Sequence, residues 1–403
     1  MSKISGVCVV GPLEPYAPGF AAELARQGWT SGSSAQQLWL IAHLSRWLDE
    51  QGLDATALTS RQVVERFAAM RRTAGYSVYC SPGALAPLLG YLRGLGVICE
   101  DEPVAVTPVE ALLGRYADYL VHRRGLAASS VPVYVGAVRG FVTTLVVDGR
   151  VDLAGLSAAG VTAFMLEACT PRQPGKAKTT ATALRSLLGF LHAEGLVASS
   201  LAGAVPRVAS WQQAALPRDL EPAEVRRLVA SCDRRASLGQ RDYAILLLLA
   251  RLGLRAGEVA RLEVDDIDWR AGELLVCGKG GRAERLPLPA DVGAALVAYL
   301  RRGRPATALE RRVFIRVKAP HRGMSSEAVS QRVWAAGRRA GIPGVRAHRL
   351  RHAAASGLLA AGAALPEVGQ LLRHRKISTT AIYAKVDRNA LAVLARPWPR
   401  VAS

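Results

Sequence analysis

The sequence predicts a mainly α-helical chain with one small β-sheet, an α+β fold class. Apolar residues recur at helical spacing through most of the chain, as in residues 111–120. One stretch reads instead as two short strands, Glu273-Leu-Leu-Val-Cys277 and Arg285-Leu-Pro-Leu288, around the glycine-rich residues 278–282, which is typical of a hairpin. The chain has 403 residues, half of them apolar, which is enough for two or three domains with cores of their own and excludes wholesale disorder.

Three regions follow from the pattern. Residues 1–105 and 106–205 each read as a helical domain, and residues 215–403 read as the larger domain that contains the hairpin. The acidic stretch 100–103 is a plausible linker, and prolines mark a break within 204–218.

The first region is a possible duplicate of the second. Leu88-Leu-Gly-Tyr-Leu92 resembles Leu187-Leu-Gly-Phe-Leu191 at an offset of 99, and Thr59 and Ser157, 98 apart, are both predicted N-caps. Degenerate helical patterns can imitate such a repeat, so both explanations stay open.

The elements can be read in order from the second region onward. Helices are expected over 111–120 and through 134–145, with a loop over 124–130 and a basic turn over 170–179 before another helix. Residues 220–224 predict a helix start because proline and glutamates suit a first turn, and a buried helix is expected over 242–254. Helical patterns continue after the hairpin and end in a short amphipathic helix over 387–395.

The charge is strongly positive and unevenly placed. Residues 1–200 carry 17 basic and 15 acidic side chains, whereas residues 201–403 carry 35 and 17, so nearly all of the net charge of +20 lies in the second half. A surplus of this kind usually indicates a polyanionic partner, most often nucleic acid. A general solubility surplus would not need to concentrate in one half.

Several classes are disfavoured. No apolar run approaches the ~20 residues that a membrane span needs, and the first ten residues do not fit a signal peptide. The six cysteines are scattered without a C-x-x-C pair, which argues against a zinc site or a disulfide framework and fits a reducing cytosol. We therefore expect a cytoplasmic bacterial protein, associated with the nucleoid when bound, with no cofactor, no metal and no membrane partner.

Four local clusters in the basic half could carry chemistry. Arg255 lies in a glycine-flanked turn, and Lys279 lies at the hairpin tip, without the spacing of a P-loop. His348 and Arg351 stand three apart, so one helical face could present both to a phosphate. His374 precedes a basic turn and Tyr383.

Each cluster alone also has an ordinary explanation. Arg255 could simply form an i,i+3 ion pair with Glu258. Lys279 could be an exposed lysine in a glycine turn, H-x-x-R is common by chance, and a single tyrosine at helical spacing is usually packing.

Together, and in this order, the clusters resemble the tyrosine recombinase (phage integrase) family. The local sequences that match are Gly253-Leu-Arg-Ala-Gly-Glu258, Gly278-Lys-Gly-Gly281, His348-x-Leu-Arg-His352 and His374-x-x-Ile-Ser-Thr-Thr-x-x-Tyr383. The resemblance covers 215–403 strongly and 107–200 more loosely, where it implies the family's core-binding, DNA-binding domain. Residues 1–105 lie outside a minimal recombinase.

The resemblance implies a role for each matched residue. Tyr383 would attack the scissile phosphate of DNA, leaving a 3′-phosphotyrosyl link and a free 5′-hydroxyl. Arg255 and Arg351 would clamp the non-bridging oxygens and Lys279 would protonate the leaving oxygen. The remaining roles are acid–base catalysis by His348, a hydrogen bond from His374 to the phosphate, and support of Arg255 by Glu258.

The same chemistry is reasonable without the family. Fixed guanidiniums suit the charge that gathers on a phosphodiester in its transition state, where one such donor is typically worth ~2.7–4 kcal/mol. A phenol with a pKa of about 10 needs neighbouring cations to react as phenolate. The covalent link conserves the ester energy, so rejoining needs no ATP.

The resemblance leads to a site-specific DNA recombinase, integrase- or transposase-like, that belongs to a mobile element. Two alternatives are a DNA-binding protein with this fold that no longer cuts, and a type IB topoisomerase-like nicking-closing enzyme. The partners expected are double-stranded DNA, a homo-tetramer joined through the tail helix, and in some settings a partner recombinase. Basic residues expected to contact DNA outside the chemistry are Lys176, Lys178, Arg282, Arg349, Arg373 and Arg375. Arg373 also departs from the family, which usually has glycine before this histidine.

Overall fold

The computed structural model describes residues 3–4, 6–99, 107–128, 130–168, 174–208, 220–278, 283–308 and 310–373. The chain divides into two compact units, one made of Met1–Glu100 with Leu216–Ser403 and the other of Asp101–Ala215. The predicted tail helix over 387–395, the acidic linker and most of the proline-marked break lie outside the described residues.

The described residues are mainly helical, as predicted. In chain order the α-helices are α1 (Ala17–Arg26), α2 (Ser31–Glu50), α3 (Arg61–Thr73), α4 (Ala86–Gly94), α5 (Pro108–His122), α6 (Val131–Thr144), α7 (Ala158–Ala168), α8 (Pro174–Ala193), α9 (Pro222–Ala230), α10 (Ser237–Arg251), α11 (Ala256–Arg261), α12 (Ala290–Ala298), α13 (Ser326–Arg339), α14 (Ala347–Ala360) and α15 (Leu365–Leu371). The strands are β1 (Lys3–Ile4), β2 (Val7–Cys8), β3 (Val146–Val147), β4 (Arg150–Val151), β5 (Ile267–Asp268), β6 (Glu273–Cys277) and β7 (Ala283–Pro287).

The predicted hairpin is confirmed as part of a three-stranded antiparallel sheet in the order β5-β6-β7. Glu273 pairs with Pro287 and Cys277 with Ala283, which sets the register. Leu274, Val276 and Leu286 turn to the core, as a strand with period two requires. Two-stranded pairs β1-β2 and β3-β4 were not predicted, since each strand has only two residues.

Each of the three predicted regions contains a hydrophobic cluster of its own. The clusters run through residues 7–98, 112–205 and 220–350 and include Phe20, Tyr116 and the apolar residues of α10, respectively. The units of the structure group the first and third of these regions together, so the division into three domains and the duplication stay predictions.

Local capping explains several helix starts. Thr107 accepts a hydrogen bond from the Glu110 amide at 3.3 Å ahead of Pro108, and Ser157 accepts one from Gly160 at 3.2 Å, so its predicted N-cap is confirmed. The N-cap predicted at Thr59 is off by one residue, because a 3₁₀ turn runs to Thr59 and Ser60 takes the N-cap position of α3.

Helix α10 organises the larger domain. It runs over 237–251 rather than the predicted 242–254, and it packs against α9, α11, α12, α13 and α14. Gly253 follows it with φ +57°, a left-handed conformation that ends the helix earlier than apolar content alone suggests. Arg255 follows this turn, two residues after Gly253.

Residues 1–100 contact the larger domain at Gln27 and Gly28. The His321 amide donates to the Gln27 carbonyl oxygen at 3.3 Å, and Thr307 Oγ1 lies 2.6 Å from His321 Nδ1. Gly28 has φ +85°, and a Cβ there would lie 2.3 Å from the same imidazole nitrogen. A glycine is therefore required where the two segments meet.

Among the described residues, no helix is both long and apolar enough to cross a membrane.

Candidate active site

Arg255 is held by Glu258 at the start of α11. Arg255 is the N-cap residue, and its backbone amide donates to Glu258 Oε2 at 2.8 Å while its Nη1 donates to Oε1 at 2.7 Å. The i,i+3 ion pair expected from the spacing is therefore present. Because 41% of the Arg255 side chain remains exposed, the pair also fixes a guanidinium that can still meet a ligand.

The Glu258 carboxylate is buried, with only 1% of the side chain exposed, and yet ionised. Burial by itself would raise its pKa, but the Arg255 backbone hydrogen bond, the charge of Arg373 and the Arg255 side chain outweigh burial and lower the pKa. An ionised carboxylate that accepts three hydrogen bonds is a rigid anchor for Arg255.

Helix α14 carries the third cluster, as predicted. Arg346 takes its N-cap position, His348 lies in its first turn, and Arg351 follows one turn later. The Arg351 side chain is buried, and its two Nη atoms donate to the carbonyl oxygens of Gly253 and Leu372. One guanidinium thus joins the turn before Arg255 to the turn before His374, and it brings three of the four sequence clusters together.

His348 contacts a second histidine. Its Nε2 lies 2.7 Å from His352 Nε2, with the rings edge-on and their centroids 4.1 Å apart, so one imidazole donates and the other accepts. Partial burial lowers the His348 pKa, and the charges of Arg351 and Arg255 lower it further. His348 is therefore neutral near pH 7 and suited to accept a proton.

His352 had no predicted role. The signal was present as an i,i+4 pair of histidines, a spacing that places both rings on one helical face.

Several candidates lie outside the described residues: Lys279, Arg282, His374, Arg375 and Tyr383. The chain on either side is described. Strand β6 ends at Cys277 and β7 begins at Ala283, so Lys279 belongs to their connection, and Leu372 with Arg373 leads directly to His374.

The basic residues proposed for DNA contact have different surroundings. Lys176 and Lys178 are exposed in the first turns of α8, which begins within the stretch predicted as a turn. Arg349 donates to the carbonyl oxygens of Pro343 and Gly344, both at 3.4 Å. Arg373 is buried against Glu258, so the expectation that it contacts DNA is wrong in this arrangement, because its guanidinium does not face solvent.

Lys178 lies in a basic groove of the helical unit. The same groove is lined by Arg185 and Arg207, and Arg185 Nη2 donates to the carbonyl oxygens of Val205 and Pro206 at 3.0 and 2.7 Å. This gives a locally basic face to a region whose overall charge is close to neutral.

No group of three or more His, Cys, Asp or Glu side chains within the described ranges is arranged to hold a metal ion. What the site does offer is two fixed arginines and the neutral imidazole of His348, which lies in the first turn of a 14-residue helix whose dipole favours an anion.

Comparison with known proteins identifies the family. A model of the phage integrase family matches residues 218–390. The putative integrase/recombinase y4rA of Sinorhizobium fredii (strain NBRC 101917 / NGR234) is 41% identical over 398 residues, which cover 96% of this chain and 95% of that protein. Tyrosine recombinase XerD of Mycobacterium tuberculosis (strain CDC 1551 / Oshkosh) is 35% identical over 292 residues, covering 68% of this chain and 93% of XerD.

The fold agrees with this relationship. The crystal structure of XerH site-specific recombinase bound to palindromic difH substrate, a post-cleavage complex, matches with a TM-score of 0.57 at 17% identity, over 73% of this chain and 97% of that chain. With relatives above 30% identity that cover two thirds or more of its length, the chain belongs to the phage integrase family and is a tyrosine recombinase, an enzyme that breaks and rejoins DNA strands at specific sites.

Proposed function

We propose that this recombinase serves a mobile element and cuts DNA through Tyr383. In this proposal the Tyr383 hydroxyl oxygen bonds to the scissile phosphorus, the bond to the 5′-oxygen breaks, and that oxygen leaves with a proton from Lys279. His348 accepts the phenol proton, and His374 donates a hydrogen bond to the phosphate. The link is reversed when a 5′-hydroxyl attacks, so no cofactor is consumed.

The observation that carries the proposal is the pair of bonds made by Arg351. Arg351 links the turn before Arg255 to the residues just before His374. Gly253 and Leu372, which are 119 residues apart in sequence, therefore both accept from one guanidinium. The exposed part of the Arg255 guanidinium would then donate hydrogen bonds to a non-bridging oxygen. Arg351 would add a second positive charge close to Arg255. Preorganised donors of this kind are typically worth ~2.7–4 kcal/mol each.

Support for a mobile element comes from length and similarity. The relationship to y4rA, named an integrase/recombinase, extends over 96% of the chain, whereas that to XerD covers 68%. The chain therefore carries a segment beyond the XerD-like part, and we propose that residues 1–105 contribute to the element's own site or complex.

DNA binding is assigned to both units. The basic groove of Lys178, Arg185 and Arg207 would follow the phosphate backbone, while the excess charge in 201–403 would hold the duplex at the catalytic residues. Residues 106–205 would then act as the core-binding domain.

We extend the proposal to a tetramer held by the tail. The larger domain carries a groove whose lining includes the apolar residues Val225, Val229, Leu247, Ala353 and Leu358 beside charged residues such as Arg226 and Asp291. The amphipathic segment 387–395 presents Leu391 and Leu394, side chains of the chemistry that such a groove would accept from a neighbouring subunit.

A nicked suicide substrate tests the nucleophile. Wild-type protein is expected to form a covalent protein–DNA adduct that survives denaturing gels, and Tyr383→Phe none. Equal adduct in both would remove Tyr383 from the mechanism, and no adduct with wild type would favour the silent DNA-binding alternative. Sequencing the trapped DNA would give the target site.

Assembly is tested separately. A chain truncated before residue 387 should still form the adduct but fail to pair two duplexes in a synapsis assay. Wild type that relaxes supercoiled DNA without pairing duplexes would instead indicate the topoisomerase-like alternative.

A further inference from the structure

Arg373 occupies a backbone position that normally calls for glycine. It follows α15 and its C-cap Leu372 with φ +53°, and its amide donates to the Gln370 carbonyl oxygen at 2.9 Å. A left-handed conformation costs an L-residue about 1–2 kcal/mol relative to glycine. The turn geometry is therefore kept despite the arginine, and the side chain has to compensate for the strain.

The side chain is turned inward to the active site. Only 3% of it is exposed, its Nη2 donates to Glu258 Oε2 at 2.8 Å, and its Nη1 donates to the Leu371 carbonyl oxygen at 2.9 Å. Its Nε is buried without a hydrogen-bond partner among the described residues. A buried ion pair often gives no net stabilisation. Stability alone therefore does not account for an arginine that is buried at this cost.

The Arg373–Glu258 pair is part of a group of three charged side chains, Arg255, Glu258 and Arg373. Glu258 Oε1 accepts from the Arg255 side chain and Oε2 accepts from Arg373, so each carboxylate oxygen holds one guanidinium. With Glu258 alone, Arg255 would be neutralised. With Arg373 added, the group of three keeps a net charge of +1, which is what an incoming phosphodiester requires.

We propose that Arg373 is a positioning residue for strand cleavage: by holding Oε2 of Glu258, it fixes the carboxylate that aims Arg255 and offsets the negative charge behind Arg255. This inference rests on the proposed function of Arg255 at the scissile phosphate. It also explains why a glycine position carries an arginine in this chain.

The test compares DNA binding with the covalent step. Arg373→Gly suits the backbone and removes the cation, and Arg373→Lys keeps the charge. Duplex affinity is measured by gel shift, and the single-turnover rate of adduct formation is measured on the suicide substrate. Loss of a residue that orients a metal ligand typically costs 10–100-fold in activity, and we take the same range for a residue that orients Arg255. We expect a rate for Arg373→Gly lower by about that factor with affinity within about twofold, and partial recovery in Arg373→Lys.

A second substrate separates positioning from general damage. If Arg373 acts through Arg255 on the phosphate charge, a neutral methylphosphonate at the scissile position should shrink the gap between wild type and Arg373→Gly. Damage to folding would slow both substrates equally. The deficits of Arg373→Gly and Glu258→Gln should also be less than additive in the double variant, because they act through one contact.

Several outcomes would overturn the inference: a wild-type rate for Arg373→Gly, a loss confined to duplex affinity, or an equal loss on both substrates. Should Arg373→Gly fail to fold by circular dichroism, Arg373→Gln replaces it under the same expectation. Failure of the wild type to form any adduct would sink the proposed function itself, whereas a wild-type adduct with an unaffected Arg373→Gly would sink only the role of Arg373.

Discussion

Arg351 and Gly253 are joined by a hydrogen bond from the arginine Nη1 to the glycine carbonyl oxygen, 98 residues apart in sequence. The bond ties α14 to the turn that ends α10 and delivers Arg255. Gly253 reaches this position with φ +57°, and a Cβ there would lie 2.6 Å from Leu372 Cδ2. The site therefore depends on a backbone shape that only glycine fits closely.

Gly253→Ala is expected to lower both stability and activity. The left-handed conformation costs about 1–2 kcal/mol, and the contact with Leu372 adds about 1–3 kcal/mol of overpacking. Since Leu372 is also a partner of Arg351, adduct formation should fall more than folding alone explains. Denaturant unfolding and single-turnover adduct rates measure the two effects.

Gly344→Ala is the matched control. Gly344 has φ +67° but nothing within 4 Å of an added Cβ, so it carries only the backbone cost. Equal destabilisation in the two variants, with equal rates of adduct formation, would contradict the role given to the Gly253 turn.

The pH dependence of cleavage should report His348. Its pKa is lowered, so the imidazole is neutral above the ordinary value of about 6.5 and stays so somewhat below it. As pH falls through the lowered pKa, the acceptor becomes a cation and the rate of adduct formation falls. Stability changes in the same sense: the contribution of neutral His348 is complete above about pH 6.5 and is lost as pH falls through the folded-state pKa.

His348→Gln separates this group from His374. The variant should form the adduct more slowly. Its rate should also lack the fall at low pH, the acid limb of the pH–rate profile, that protonation of His348 causes. An acid limb unchanged in position and depth would show that another group titrates. His352→Leu should also slow adduct formation, because it removes the nitrogen that lies 2.7 Å from His348 Nε2 and holds that imidazole in place.

Sequence alone predicted the parts of this molecule that rest on local periodicity. The helical fold, the presence of the β6–β7 hairpin and the Arg255–Glu258 pair all follow from spacing within a few residues. The end of α10 was missed because Leu252 and Leu254 continue its apolar pattern while Gly253 turns the chain.

Long-range partnerships were beyond the same reasoning. That Arg373 would lie on Glu258, 115 residues away, was not predictable from charge, because a basic residue beside a site reads first as a DNA contact. The contact of Gly28 with His321 joins segments nearly 300 residues apart, and no local pattern indicates it.

Lys178→Ala should weaken DNA binding without changing the preferred sequence. A phosphate contact contributes about 0.9 to the slope of log K against log salt concentration, so the slope should fall by about that amount. Gel shifts between low and physiological salt measure it. Lys318→Ala removes an exposed lysine of the 201–403 segment that lies outside the predicted set, and it should lower the slope less than Lys178→Ala does. Equal changes in the two variants would assign the effect to net charge rather than to the α8 groove.

Gly28→Ala tests whether residues 1–100 hold the larger domain in solution. The added Cβ would lie 2.3 Å from His321 Nδ1 and 2.6 Å from Thr307 Oγ1, on a backbone that already favours glycine. Either the imidazole or the backbone has to move, and the hydrogen bond from the His321 amide to Gln27 should weaken. Amide hydrogen exchange in peptides spanning 305–322 should therefore quicken several-fold, because the local opening free energy falls.

Gly75→Ala, at φ +82° with nothing within 4 Å, imposes the same backbone cost without the contact. If the two variants show equal exchange rates over 305–322, the contact with residues 1–100 does not stabilise that segment of the larger domain. If only Gly28→Ala quickens, the N-terminal region is a structural part of the body that carries the catalytic residues.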